Sequence, residues 1–273
     1  MRRKVLKAPS FAYARARSLT EAFDLIERPG AKILAGGQSL IPSLNMRLAS
    51  PELLVDITAL KDLKSIDLRS TGLRIGALVT HSAIEKSEKV AQHAPLLAQA
   101  VMHIAHPAIR NRGTLGGSLA LADPAAEYPA CALALNATIV LAGRRGERRV
   151  PAEHFFKGLF ETDIRPGELI VAAEFPPVER SVFLELARRQ GDYAIVGLAG
   201  VADASGRRIA FLGAGATPVF AASASRAASL NAALEALGRD LKPPADIYHS
   251  SATKLHLAKV LLSRAWNTLS KPH

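Results

Sequence analysis

The sequence has little cysteine and few aromatic side chains. Of its 273 residues, one is cysteine, one is tryptophan, and 5% are aromatic. A single cysteine excludes an intrachain disulfide, a thiolate metal cluster and an internal redox pair. Because Cys131 lies in the apolar run YPACALALNA, we expect it to be a buried packing residue. This cysteine usage indicates a reducing compartment, and we expect the cytoplasm.

Long apolar runs are also missing. No window reaches about 18 apolar residues, and so we predict no membrane span. The basic start of the chain, MRRKVLKAPSFAYARAR, is not followed by an apolar segment, which argues against a secretory signal. An amphipathic organelle transit segment stays open as an alternative.

Acidic residues are outnumbered by basic ones, 24 against 35, which gives a net charge of +11. The basic residues gather at the N-terminus, in LAGRRGERRV (Leu141–Val150), around Arg188–Arg189 and after Asp246. A nucleic-acid-binding surface would add interleaved aromatic residues or a reading helix, and neither is present. We therefore favour a solvated surface or a basic docking face for an acidic protein partner.

The order of predicted elements favours an α+β fold. Mixed strands and helices fill the chain up to Pro176–Pro177, the predicted domain boundary. They include a helix over residues 94–105, ended by His106–Pro107. Beyond the double proline, three strands alternate like an antiparallel meander with a turn at Ser205–Arg207. Two or more helices follow, with alanine and leucine at helical spacing.

Two short segments place adjacent glycines between a strand or loop and a helix. AGGQSL contains Gly36–Gly37 and GTLGGSL contains Gly116–Gly117. Adjacent glycines let successive backbone N–H groups turn toward one point, and a helix start adds its unpaired N–H groups. Each pair is either a tight turn or an anion site, and two in one chain suggest a pyrophosphate. Neither is a P-loop or a Rossmann fingerprint, and FLGAGATP (Phe211–Pro218) lacks the third glycine.

Other catalytic chemistries find no support in the sequence. The four histidines between His81 and His106 show no metal-ligand spacing with acids or cysteines, which favours packing or surface roles and predicts no metal site. No Gly-x-Ser-x-Gly elbow is present, so a hydrolase would lack its nucleophile.

Three segments together resemble one known family. AGGQSLIPSLNMRL, RNRGTLGGSLALADPAAEYPACALAL and ARRQGDYAIVGLAGVA, in this order, are similar to the FAD-binding medium subunit of molybdenum hydroxylases of the carbon monoxide dehydrogenase and xanthine dehydrogenase type. The resemblance covers essentially the whole chain. It implies a two-subdomain, PCMH-like FAD module over residues 1–176, divided near residue 57, and a C-terminal domain over 177–273 with a small antiparallel sheet and a helical bundle.

The resemblance also implies cofactors, partners and a function. FAD would be bound noncovalently and would receive electrons from two [2Fe–2S] clusters for transfer to an external acceptor. The clusters and the molybdenum cofactor would lie on an iron–sulfur small subunit and a molybdenum large subunit, in a dimer of heterotrimers. Because the cofactor performs the redox chemistry, we expect no acid–base catalyst in this chain.

The implied site residues fall into four groups. They are Ala35, Gly36, Gly37, Gln38, Ser39 and Leu40 around the pyrophosphate; Thr114, Leu115, Gly116, Gly117 and Ser118 in a second phosphate and ribityl loop; Asp123 and Glu127 beside the polar flank of the flavin; and Tyr193 over the isoalloxazine face, with Ile170 or Leu169 beside the ring. Alternatively, Asp123 starts a helix and Tyr193 is a buried strand residue.

One departure from the family stands out. Related subunits often carry a lysine in the strand before the arginine pair, near the flavin. Here the strand reads FLELARR, with Leu184, Glu185 and Leu186, and so a cation near reduced flavin is missing or is supplied by Arg188. The final electron acceptor is therefore open.

Three alternative functions stay open. The first is a stand-alone flavin oxidoreductase, for which no substrate-facing acid–base pair is found. The second is a cofactor-free basic scaffold or nucleic-acid-binding protein, and the third is a family member that has lost FAD. The substrate is also open, because its pocket would lie on another chain.

Overall fold

The computed structural model describes residues 8–270. Arg2 and Arg3, in the basic start of the chain, lie outside the described residues. Among residues 8–270, no helix is both long and apolar enough to cross a bilayer.

The described chain alternates short strands and helices up to residue 175, as the periodicity predicts. The strands are β1 (Ala12–Arg15), β2 (Ala31–Leu34), β3 (Leu53–Asp56), β4 (Ile66–Arg69), β5 (Gly72–Gly76), β6 (Thr138–Gly143), β7 (Gly146–Pro151), β8 (Phe156–Gly158), β9 (Glu161–Thr162), β10 (Leu169–Phe175), β11 (Arg180–Leu186), β12 (Val196–Asp203), β13 (Gly206–Leu212) and β14 (Val219–Phe220). The helices are α1 (Leu19–Ile26), α2 (Leu40–Asn45), α3 (His81–Glu85), α4 (Glu88–His93), α5 (Pro95–Ala100), α6 (Pro107–Arg110), α7 (Leu115–Leu121), α8 (Glu127–Ala134), α9 (Ala152–Phe155), α10 (Ala222–Ser225), α11 (Leu230–Asp240) and α12 (Ser251–Ser270), with a 3₁₀ turn at Lys61–Lys64.

Two sheets form the first part of the molecule. A small parallel sheet has the order β1-β3-β2, and a five-stranded antiparallel sheet has the order β4-β5-β10-β6-β7. Strand β10 is buried on both faces: Leu169 and Val171 pack toward the small sheet, and Ile170 and Ala173 pack toward the helices. This double burial explains the apolar run Leu169–Ala173, which fills most of β10.

The C-terminal sheet is an antiparallel meander in the order β11-β12-β13-β14, which confirms the predicted architecture. Ala199 and Val201 of β12 pack in the cluster that contains α5 and α8. Val196 and Leu198 pack on the opposite face, with α11 and α12. The sheet is therefore covered by helices on both faces, and α8 lies between it and the first part of the molecule.

The helix predicted over residues 94–105 is wrong in its length. Helix α5 ends at Ala100, a turn follows, and Ala105 adopts a positive φ of 43°. The carbonyl groups of Ile104 and Ala105 accept hydrogen bonds from the Arg110 guanidinium at 3.1 and 3.2 Å instead of belonging to a helix. His106–Pro107 starts the next helix, α6, with Pro107 in its first turn.

Cys131 is buried in α8, as the apolar run around it predicts. All residues of this helix from Tyr128 to Ala134 are buried. Burial raises the pKa of the Cys131 thiol well above its ordinary value, which keeps it protonated and unreactive.

Candidate functional site

The first glycine loop connects β2 to α2 and exposes unused backbone donors. Gly37 has a φ of +74°, which favours glycine. Within residues 8–270, the amide groups of Gly36, Gly37, Gln38 and Ser39 donate no hydrogen bond. The Ser39 side chain is also free of a capping bond to its helix. Such a run of free donors at a turn is suited to hold an anion.

The second glycine loop differs, because its amides from Leu115 to Ser118 already donate hydrogen bonds within the fold. Leu115 donates to the Val79 carbonyl at 3.0 Å, and Gly116 donates to the Ala77 carbonyl at 2.9 Å. The Gly117 amide donates to the Thr114 hydroxyl oxygen at 3.1 Å, so that Thr114 caps α7. Among the described residues, what this loop still offers an anion is the amide and hydroxyl hydrogen of Thr114 and the Ser118 side chain.

Gly116 has a packing role that the sequence did not indicate. A Cβ built on it would lie 2.6 Å from the Ala77 Cβ atom, closer than real Cβ atoms approach. Gly113 is similarly constrained, 2.6 Å from the His81 ring on the same basis. His81 is buried, and burial lowers its pKa to about 4, so it stays neutral and acts as a packing residue.

The two glycine loops lie against each other. Gly36 contacts the backbone at Arg112 and Gly113, immediately before Thr114. A side chain on Gly36 would overlap the Arg112 carbonyl oxygen. The fold therefore brings together the two motifs that lie far apart in the sequence.

Two acidic residues follow α7 in a tight turn. Asp123 Oδ1 accepts a hydrogen bond from the Ala125 amide at 2.9 Å, and Glu127 begins α8. Burial raises the pKa of both carboxyl groups, that of Glu127 to about 7, and the nearby Asp123 charge adds to the latter shift. Glu127 is thus poised to exchange a proton near neutral pH. The turn itself is fixed by the Gly213 amide, which donates to the Pro124 carbonyl at 2.8 Å.

Tyr193 lies in the loop between β11 and β12, with 78% of its surface exposed. The alternative of a buried strand tyrosine is therefore wrong. The charges of Asp123 and Glu127, after burial, raise the pKa of Tyr193, which places its phenol near those carboxyl groups. A hydrogen bond anchors its loop to the segment after α5, since Gln190 Nε2 donates to the Met102 carbonyl at 2.9 Å. An exposed ring on an anchored loop is available to cover a planar ligand.

The two apolar candidates in β10 point in opposite directions. Leu169 faces the small sheet, whereas Ile170 faces the helical cluster that contains Leu115 and Leu119 of α7. Both side chains are at most 5% exposed. Of the two, Ile170 lies on the face of β10 that carries the second glycine loop.

Glu185 was not identified as a site residue from the sequence. It lies in β11, in the stretch where the resemblance led us to expect a lysine. Burial raises its pKa to about 8, the neighbouring Glu127 contributes, and its Oε2 atom is buried with no hydrogen bond. Glu185 is thus mostly protonated at neutral pH. The available signal was a lone charge within the apolar stretch FLELA.

Arg188 is not directed at these acids. Its guanidinium carbon lies 4.6 Å from the centre of the Tyr248 ring, a cation–π contact. Thus the suggested replacement cation is engaged with a loop beyond α11, whereas Arg189, in the turn after β11, lines the same small cavity as Glu185.

Comparison with known proteins places these features in a family. Residues 9–178 match the model of the FAD binding domain in molybdopterin dehydrogenase, and residues 181–269 match the CO dehydrogenase flavoprotein C-terminal domain. A 6-hydroxypseudooxynicotine dehydrogenase complex subunit alpha from Paenarthrobacter nicotinovorans is 39% identical, over 97% of this chain and 95% of that protein. The glyceraldehyde dehydrogenase medium chain of Sulfolobus acidocaldarius is 41% identical, over 70% of this chain and 69% of that protein. A carbon monoxide dehydrogenase from Hydrogenophaga pseudoflava superposes with a TM-score of 0.92 at 33% identity, covering 96% of this chain and 98% of that one.

The chain belongs to the family of FAD-binding subunits of molybdopterin dehydrogenases. More closely, it is a medium-type flavoprotein subunit of an oxidoreductase complex of the molybdenum hydroxylase class, as the sequence resemblance predicted. A cofactor-free basic scaffold and a stand-alone flavin enzyme are no longer supported.

Proposed function

We propose that this chain holds FAD noncovalently along its two glycine loops and passes electrons from [2Fe–2S] clusters of a partner to an external acceptor. The observation that carries this proposal is the row of free amides from Gly36 to Ser39, packed against the second loop at Arg112. Free amides at the start of a helix fit a pyrophosphate, whose negative charge they would neutralise.

The remaining candidate residues divide into phosphate and ring contacts. Ala35 and Leu40 flank the free amides, and the hydroxyl groups of Thr114 and Ser118 would donate to the phosphate or ribityl part. Leu115, Gly116 and Gly117 would shape the loop but donate no hydrogen bond to FAD, because their amides already donate within the fold. In this proposal the two loops have different roles, whereas the sequence predicted two equivalent anion-binding loops.

The ring end of the site would be formed by Asp123, Glu127, Ile170 and Tyr193. When bound, FAD supplies the one- and two-electron chemistry that links the clusters to the acceptor. Glu127, with a pKa of about 7, would hold a proton at its carboxyl oxygens below that pH and release it above. Tyr193 would exclude water from one face of the ring. None of these residues needs to act as an acid–base catalyst on a substrate.

The partners proposed are an iron–sulfur small subunit and a molybdenum large subunit, assembled as a dimer of heterotrimers in the cytoplasm. Relatives of the chain are named as the subunit or medium chain of a dehydrogenase. The substrates in the names of its relatives include a pyridine derivative, an aldehyde and carbon monoxide, which share no chemistry. This diversity supports a substrate pocket on another subunit.

The test is the absorption spectrum of the purified chain, followed by acid release and identification of any flavin. Flavin bands with free FAD in the supernatant are expected, because the free amides proposed to hold the pyrophosphate all belong to this chain. A colourless protein that does not take up added FAD, alone or co-expressed with its neighbouring subunits, would contradict the proposal and favour a member of the family that has lost FAD.

A further inference from the structure

A small polar pocket lies beside the end of β11. Its volume is about 130 Å³, which is enough for several water molecules. The residues that line it are His103, Glu185, Ala187, Arg189, Gln190 and Gly191. They come from β11, from the loop that follows it and from the segment after α5, and Glu185 is the acid among them.

The walls of the pocket are fixed by packing. On one side, Gly191 has a φ of +80°, and a Cβ built on it would lie 2.7 Å from the Ala105 carbonyl oxygen. On the other side, the His103 ring packs against the Phe183 ring of β11, with 5.2 Å between the ring centres. The loop that carries Tyr193 therefore lies against the segment after α5, and the pocket lies between them.

Glu185 connects this pocket to the interior. Side chains alternate along a strand, so Glu185 lies on the same face of β11 as Phe183, whereas Leu184 and Leu186 pack in the cluster with α12. Among residues 8–270, the buried Oε2 atom of Glu185 has no hydrogen-bond partner, although the same side chain lines the pocket. A buried carboxyl oxygen without a partner is costly, and pocket water can satisfy this one.

Few ionisable groups face Glu185. From α8, burial and then the charge of Glu127 raise the Glu185 pKa, and both carboxylates add to the raised pKa of the Cys131 thiol. From the segment after α5, His103 has a pKa lowered by burial and is neutral, and Arg189 lines the pocket from the loop. Glu127 does not line the pocket. Glu185 is therefore the carboxyl group placed between the pocket and Glu127.

We propose that the pocket beside β11 is the proton entry of the flavin site, and that Glu185 passes protons between pocket water and Glu127. This inference rests on the proposed function. Two-electron reduction of FAD by the partner's clusters requires at least one proton, which Glu127 would give to the flavin. Glu185 then returns a proton to Glu127, and pocket water returns one to Glu185. When the acceptor takes the electrons, the same transfers run backwards, so both acids end as they began.

The two acids are matched for this transfer. The pKa of Glu127 is raised to about 7 and that of Glu185 to about 8. Groups with pKa values close to each other and to neutrality exchange protons in both directions. Because burial raises both values, the pocket is the route by which Glu185 reaches water.

The experiment is protein-film voltammetry of the FAD-loaded protein, which measures the midpoint potential and, from its scan-rate dependence, the rate of proton-coupled reduction. In Glu185→Gln we expect this rate to fall at least about tenfold at pH 7, with an unchanged midpoint potential, because glutamine keeps the shape of the protonated acid but carries no proton to pass. Glu185→Asp should restore part of the rate. Glu235→Gln, at an exposed acid of α11, is the matched control and should leave the rate unchanged.

Two further variants separate proton transfer from a structural role. Glu185→Ala should also be slow, and added formate should restore its rate by carrying protons in the space that the side chain leaves. Ala187→Leu should slow the rate by filling the pocket while both acids are kept. A wild-type rate in Glu185→Gln overturns the proposal. So does a slow Glu185→Ala that formate does not restore, or a changed midpoint potential that accounts for the slower rate.

A titration of the FAD-free protein distinguishes this inference from the proposed function. The infrared carbonyl band of the protonated Glu185 carboxyl, identified by its loss in Glu185→Gln, should disappear with a midpoint near pH 8. Glu127→Gln should lower that midpoint, because it removes the charge that disfavours ionisation of Glu185. An unchanged midpoint overturns the coupling of the two acids whether or not FAD binds. Failure to take up FAD with the coupling intact contradicts the proposed function instead.

Discussion

Gly36 and Arg112 touch backbone to backbone. A Cβ built on Gly36 would overlap the Arg112 carbonyl oxygen and lie 2.8 Å from its carbonyl carbon and 3.0 Å from the Gly113 Cα. Because a carbonyl group cannot move aside as the end of a flexible side chain can, this contact couples the position of the first glycine loop to that of the second.

Gly36→Ala should separate the two loops. We expect FAD affinity to fall at least tenfold and stability to fall by about 1–3 kcal/mol from overpacking. Flavin fluorescence titration and thermal unfolding measure the two effects. The control is Gly238→Ala in α11, where an added Cβ meets nothing within 4 Å and should raise stability slightly. Wild-type FAD affinity in Gly36→Ala would contradict the contact as a determinant of the site.

Replacing Thr114 should lower the stability of the FAD-free protein, whereas replacing Ser118 should lower only its affinity for FAD. Thr114→Val removes the oxygen that accepts from the Gly117 amide, and the FAD-free protein should lose about 1 kcal/mol of stability. Ser118→Ala removes a hydroxyl that makes no hydrogen bond within residues 8–270, so stability should hold while FAD binds several-fold more weakly. Thermal unfolding without FAD and titration with FAD distinguish them. Equal effects of both variants on stability would show that the assignment of roles is wrong.

Arg110→Lys should loosen the segment that leads into the second loop. Arg110 is 8% exposed, donates to Glu85 at 3.0 Å, and also donates to the Ile104 and Ala105 carbonyls. Lysine cannot make these hydrogen bonds to the Glu85 carboxylate and to two carbonyl groups at once. We therefore expect the free energy of unfolding to fall by about 2–4 kcal/mol. Denaturant unfolding measures it. Arg149→Lys, in a pair whose arginine is exposed, should cost less than about 1 kcal/mol. Similar losses in the two variants would contradict a special role for Arg110.

Glu185→Gln should change the pH dependence of stability. The folded protein keeps a proton on Glu185 up to a pKa of about 8, whereas the unfolded chain releases it near the ordinary value of 4.5. Between these values the folded state binds more protons, so the free energy of unfolding falls as pH rises. The variant has no such proton to lose.

We therefore expect the unfolding midpoint of Glu185→Gln to exceed that of the wild type at pH 9, by about 2 °C or more, and to approach it at pH 5. Glu235→Gln, an exposed acid of α11, is the matched control. A variant whose advantage is the same at both pH values would show that Glu185 ionises freely in the folded protein.

Local patterns in the sequence were sufficient for most elements. The turn predicted at Ser205–Arg207 is confirmed between β12 and β13, and the Thr80 hydroxyl oxygen caps α3 by accepting from the Ala83 amide at 3.1 Å. These features depend on neighbours a few residues away, which a single sequence displays directly. The division at Pro176–Pro177 and the individual FAD contacts stay predictions.

What the sequence did not show depends on distant contacts. The amides of Leu115 and Gly116 are used by Val79 and Ala77, and no local pattern distinguishes them from the free amides of the first loop. The raised pKa of Glu185 likewise depends on burial and on Glu127. Helix α5 ends early because Arg110 binds carbonyl groups that a helix would have used.

The position of α8 has a consequence for how the chain folds. One apolar cluster contains Ile75 and Leu141 from the first part of the molecule together with Phe183, Val201 and Ala210 from the C-terminal sheet. The two parts therefore share this cluster, and neither completes it alone. Unfolding by denaturant should accordingly be one cooperative transition that releases the C-terminal sheet and the glycine loops together. A protein cut at the double proline would expose α8, and assembly of the two pieces would depend on their concentration.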